Sequence, residues 1–170
     1  MKRIPFAVAI LVLTPALASA QGAWDIAKKA AGGSATAKLE KEVNKKLLEE
    51  GRKNQCSFKS GSAELEPGCD AKATKLAKQL IDAKKKLTGA GVQNFKFVVS
   101  GHTDSSGDEA KNKELSKERA AVMVKQLVAK GVPEAEIESI GMGSEKLLVK
   151  PDDTPAKKAK NRRYEVQVKL

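Results

Sequence analysis

Aromatic residues are scarce: four Phe, one Tyr and one Trp in 170 residues, or 4%. So few rings provide no stacking surface for single-stranded nucleic acid. Histidine occurs once, at His102. A lone histidine with no second base, nucleophile or ligand set makes no active site. His102 is therefore read as a structural loop residue, Ser105 and Ser106 make a weak case for a hydrolase, and no enzyme activity is expected. Two cysteines, one histidine and unclustered acids are too few for a metal centre, and no cofactor is expected. Gly141-x-Gly143-Ser144 is too short for a phosphate loop and reads as a turn. Long apolar runs are missing as well. The stretch Phe6 to Leu13 falls well short of the roughly 20 residues of a membrane helix, and no second one follows. Internal repeats and low-complexity tracts are absent.

The chain does carry a leader pattern, a basic surplus and a pair of cysteines. In MKRIPFAVAILVLTPALASA, Lys2 and Arg3 precede the apolar stretch, and Ala18-Ser19-Ala20 offers a small-residue cleavage site. Residues 1–20 are thus expected to be a signal peptide that sends the chain to a Gram-negative-type periplasm. Gln21 rather than cysteine would follow the cut, so no lipid anchor and no transmembrane segment are expected in the mature chain. The 32 basic and 21 acidic residues give a net charge of +11. Without Lys2 and Arg3 it is +9, because residues 1–20 hold no acid. Such a surplus favours polyanionic surroundings. Export leaves the cell wall or anionic lipid head groups as partners, and no nucleic-acid partner is expected. Cys56 and Cys69 would meet an oxidising compartment. A disulfide between them closes a loop worth about 3 kcal/mol in the chain-entropy model; two free thiols are the alternative.

Residues 21–55 form a Lys/Glu-rich segment with a break at Gly32-Gly33-Ser34. A helix follows whose Leu39, Val43 and Leu47 recur every fourth residue, with Leu48 alongside. Its narrow apolar stripe either packs on the domain behind it or associates with a partner, helped by Trp24 and Ile26. This segment has no room for an outer-membrane barrel, which needs at least eight strands of about 9–11 residues. From residue 56 the expected elements are a short strand at Ser57-Phe58-Lys59, a helix over 68–88 with Pro67 in its first turn, and a strand from Phe95 to Val99. A helix over 109–130, a strand over 137–142, a polar loop over 144–158 and a strand over 164–168 complete the chain. The order β-α-β-α-β-β predicts a two-layer α/β (α+β) sandwich, with two helices on one face of a mixed four-stranded sheet.

Chemistry concentrates around the start of the second of those helices. Asn112, Ser116 and Arg119 fall at i, i+4 and i+7 and share one face. Asp104 lies in the loop that feeds them, and helix amides near 108–110 add positive potential. An acid and an arginine flanking one pocket suit a zwitterion: the carboxylate accepts from an ammonium and the guanidinium grips a carboxylate. The side-chain end of meso-diaminopimelate, in peptidoglycan stem peptides, carries both groups on one carbon. A plain Asp104–Arg119 salt bridge is the competing reading.

GHTDSSGDEAKNKELSKERAAVM, followed by NRRYEVQV and preceded by FKSGSAELEP, resembles the OmpA-like (OmpA/MotB/Pal C-terminal) domain family over about residues 56–170. The resemblance rests on three separated blocks that keep their spacing. It implies non-covalent peptidoglycan binding through diaminopimelate, with Asp104 on the amine and Arg119 on the carboxylate. It further implies that Asn112 contacts the ligand or braces the loop. Thr103 would shape that loop through its backbone, and Arg162 or Arg163 would reach the ligand. Where the family often has Asp or Asn after its first strand, this chain has Lys59-Ser60-Gly61, and the cysteine pair is not part of the general pattern. A second reading makes the chain an adaptor. Residues 21–55 would then recruit an envelope protein while the basic surface binds wall or lipopolysaccharide anions.

Overall fold

A computed structural model describes the backbone of residues 20–59 and 61–170, and side chains from residue 33 onward. The expected leader lies outside the described residues apart from the backbone of Ala20, as do the side chains of Trp24 and Ile26. The elements are α1 (Ala20–Lys53), α2 (Cys69–Gly89), β1 (Lys96–Gly101), α3 (Glu109–Ala129), β2 (Ile137–Gly141), α4 (Pro155–Asn161) and β3 (Tyr164–Lys169). A 3-10 turn at Glu134–Glu136 leads into β2. The chain divides into two units, Met1–Ala35 and Thr36–Leu170. The first is described as helical backbone from Ala20, with side chains only at residues 33–35. Among the described residues no helix is long and apolar enough to cross a membrane.

The expected break at Gly32-Gly33-Ser34 is not there, because α1 runs through it. A glycine inside a helix costs only about 1 kcal/mol relative to alanine, so it does not by itself stop one. The last turns of α1 belong to the larger unit, where Val43 and Leu47 are buried and Leu39 packs against the same core. The narrow stripe is therefore covered within the chain.

Helices α2 and α3 bury stripes at helical spacing: Ala73, Leu76, Ala77 and Leu80 on one, Ser116, Ala120, Met123 and Leu127 on the other. Both end in the same way. Gly91 and Gly131 take φ of +82° and +95°. Val92 and Val132 then donate back to the carbonyls of Leu87 and Leu127, at 3.0 and 3.1 Å. That αL glycine with a following buried valine is a Schellman stop. Pro67 sits in the turn before α2 rather than in its first turn.

The sheet has three strands, not four, in the order β2-β1-β3. Strand β1 is central, parallel to β2 with Phe97 opposite Ile137, and antiparallel to β3 with Phe97 opposite Val168 and Val99 opposite Val166. The inward row of Phe97, Val99, Val166, Val168 and Tyr164 joins the α2 and α3 stripes in one core. The expected first strand is reduced to an isolated bridge between Phe58 and Leu65 within a loop. Helix α1 takes the outer edge of β3 instead. Asn44 Nδ2 donates to the Val168 carbonyl (2.9 Å) and its Oδ1 accepts from the Val168 N–H (2.6 Å). Gln55 does the same for Tyr164, at 2.7 and 3.3 Å. Two side-chain amides thus stand in for a strand and blunt an edge that would otherwise template aggregation. Tyr164 completes the seam: its buried hydroxyl, pushed up to about 12 by burial, donates to the Asn54 carbonyl at 2.6 Å.

Candidate functional site

At Gly101, strand β1 and helix α3 approach so closely that no side chain fits between them. A Cβ on Gly101 would lie 2.0 Å from the Ser116 carbonyl oxygen. Ser116 Oγ, itself fully buried, accepts from the Gly143 N–H at 2.9 Å. Beyond Gly101 the chain continues the sheet pattern for two residues. His102 N–H donates to the Arg163 carbonyl (2.8 Å) and Thr103 N–H to the Gly143 carbonyl (2.9 Å). The loop is then closed by Asp108, which caps α3 by accepting from the Lys111 N–H at 2.9 Å. Asn112 Nδ2 donates to the Ser106 carbonyl at 2.8 Å, so this asparagine braces the loop.

That loop presents Asp104 to an open cleft of about 950 Å³. All six residues singled out by sequence, Thr103, Asp104, Asn112, Arg119, Arg162 and Arg163, line it. The competing reading, a plain Asp104–Arg119 salt bridge, is not what forms. Asp104 Oδ2 accepts from Arg162 Nη1 at 2.8 Å and Oδ1 from the Ser106 N–H at 3.0 Å. Burial works to raise the carboxyl's pKa, but the Arg162 and Ser106 hydrogen bonds outweigh it and hold it below the usual carboxylate range. Arg119 has no acidic partner among the described residues. Its Nε donates to the Ser62 carbonyl (2.9 Å), and its guanidinium lies over the Phe58 ring, 5.2 Å from the centroid. Burial, then the neighbouring Arg162 charge, pull its pKa down from the ordinary arginine value, and Asp104 partly offsets this.

The two adjacent arginines have different work. Arg163 is tied down by Glu165 (2.8 Å) and by the carbonyls of Asn161 and Lys146, at 3.3 and 3.1 Å. Arg162 is 44% exposed at its side chain and, among the described residues, holds only Asp104. Asn161, fully buried, sets their direction. Its Oδ1 accepts from the N–H groups of Leu148 and Val149, at 2.8 and 3.0 Å. Its Nδ2 donates to the Val149 carbonyl and to Asp152, both at 3.0 Å. Asp152 also accepts from the N–H and hydroxyl of Ser105, and these bonds lower its pKa to about 2. The network staples the β1–α3 loop to α4.

Sequence reading missed Asp152 and the structural role of Asn161. It also missed α4, although Thr154 followed by Pro155 is an N-cap and N1 signal. His102 lies outside the cleft lining and 2% exposed, with Nε2 3.2 Å from Ser100 Oγ. Burial and then the Arg163 charge push its pKa down to about 4. Cys56 and Cys69 are joined in a disulfide, the paired alternative of the two. It clamps the base of the loop whose Lys59 and Ser62 carbonyls hold Arg119.

A family model described as "OmpA family" matches residues 57–162. The outer-membrane lipoprotein YfiB of Pseudomonas aeruginosa is 32% identical over 127 residues, covering 75% of this chain and 70% of that protein. The peptidoglycan-binding protein ArfA of Mycobacterium tuberculosis is 38% identical over 73 residues, or 43% of this chain. The aligned stretch spans only 22% of ArfA's length. Among solved structures, the peptidoglycan-associated lipoprotein of Burkholderia pseudomallei is similar with a TM-score of 0.53 at 24% identity, over 66% of this chain and 86% of that one. The periplasmic domain of Helicobacter pylori MotB gives 0.56 at 22% identity, over 69% of each chain. At such identities these two likenesses establish the fold.

Proposed function

This chain belongs to the OmpA family, and on that premise we propose that it is a non-catalytic periplasmic protein that holds peptidoglycan by the diaminopimelate of its stem peptides. The observation that carries the reading is the charge arrangement of the cleft. Asp104 keeps lone pairs free beyond the two bonds it accepts, so it can also take the ligand's ammonium. Arg119, buried beside another cation and lacking an acid, is the natural seat for the ligand's carboxylate, with Arg162 able to join it. A bound carboxylate would relieve the repulsion between the two guanidinium groups.

Thr103 is 3% exposed and lines the cleft, and its Oγ1 has no partner among the described residues. It offers the ligand a further hydrogen bond. Asn112 and Asn161 act through the loops they brace. Affinity for one such head group is modest, and the repeating wall polymer supplies multivalency.

The test is retention on insoluble peptidoglycan at rising salt. Exposed charge attraction is screened over about 10 Å at 0.1 M salt, whereas the cleft's buried contacts are screened less. Wild-type protein should stay bound when salt has removed the general attraction, and an Asp104→Ala, Arg119→Ala double variant should wash off. Equal retention of the two would leave only the basic surface as the binding agent.

A further inference from the structure

The cleft holds more positive charge than a diaminopimelate end uses. Asp104 is the one acid among its lining residues and is already engaged by Arg162. Arg163 is matched by Glu165. Arg119, Arg52 and Lys160 are left, and none has an acidic partner among the described residues. Arg52 and Lys160 are also exposed. A zwitterionic head group brings one charge of each sign and so leaves that excess as it was. Size points the same way. About 950 Å³ is the upper end of what encloses a drug-sized ligand, far more than one amino-acid end group requires. Arg52 comes from α1, outside residues 57–162 that match the family model.

We propose that the cleft contains a second carboxylate subsite, headed by Arg52 and supported by Lys160, that favours stem peptides with a free carboxylate next to diaminopimelate over amidated ones. The proposal rests on the diaminopimelate reading above. In a stem peptide the residue before diaminopimelate is a glutamate linked through its γ-carboxyl, so its α-carboxylate projects from the chain. A guanidinium can take that group with two parallel hydrogen bonds, which an amide in its place cannot accept. Phe58, Leu148 and Val149 give the peptide backbone an apolar wall in the same cleft.

The experiment titrates the purified protein with three tripeptides at low salt: L-Ala-γ-D-Glu-meso-diaminopimelate, its glutamate α-amide, and the free acid with lysine replacing diaminopimelate. Wild-type protein should prefer the free acid to the amide by about fivefold, the scale of one exposed charge pair. Arg52→Gln should erase most of that preference, and adding Lys160→Gln the rest, while both variants still discriminate diaminopimelate from lysine. Equal affinity for acid and amide in wild-type protein, with the lysine discrimination intact, overturns the subsite alone. So does a preference that survives undiminished in the double variant. Failure of both diaminopimelate peptides to bind overturns the subsite together with the reading on which it rests.

Discussion

In the C-terminal half of α3, Ala120, Met123 and Leu127 are fully buried and apolar; in its N-terminal half, the same stripe is continued by Ser116 and Arg119. One half secures the fold and the other forms the cleft wall. The apolar half gains about 1.5–3 kcal/mol for each large side chain it hides. The polar half makes no such gain. Ser116 spends its hydroxyl on the Gly143 N–H, which ties down the loop after β2, and Arg119 its guanidinium on loop carbonyls, which fixes it in the cleft wall. The difference teaches that stability and recognition can be perturbed separately along a single helix.

The largest expected separation comes from Leu127→Ala. It should cost about 2–5 kcal/mol in urea unfolding, while the remaining folded protein binds peptidoglycan with unchanged affinity. Breaking the disulfide crosses the boundary between the halves. A Cys56→Ser, Cys69→Ser variant should lose about 3 kcal/mol and also bind less well, because the loop that positions Arg119 loses its clamp. Binding that stays unchanged in this variant would show that Arg119 needs no such support.

His102 offers a pH test of stability alone. Its folded-state pKa is pushed below its ordinary value, to about 4. The folded protein therefore binds fewer protons than the unfolded chain between the two values. The stability contribution is complete above about pH 6.5 and falls as pH drops from there towards 4. The loss should be on the order of 2–3 kcal/mol by pH 4, and His102→Gln should flatten that part of the urea-unfolding profile. A profile left unflattened would place the acid sensitivity in other groups.

How much of this was visible in the sequence depends on range. Elements α2, β1, α3, β2 and β3 were legible to within about two residues, since apolar periodicity and glycine stops act locally. The cleft's membership was legible because the motif blocks keep their spacing. Its pairing was not: Asp104 meets Arg162, 58 residues away, rather than Arg119. The missing fourth strand has the same cause. Asn44 reaches Val168 across 124 residues and Gln55 reaches Tyr164 across 109, and no local pattern marks a side-chain amide as the cover of a strand edge. Lys and Glu around Asn44 read simply as a solvated helix face.

The most direct measurement of the central claim is a titration of the protein with a stem peptide containing meso-diaminopimelate, beside an identical peptide containing lysine. Lysine keeps the amine for Asp104 and lacks the carboxylate for Arg119. The account predicts that the first binds and that the second is at least about tenfold weaker, the cost of leaving a buried charge without its partner. Equal binding, or none, would contradict it.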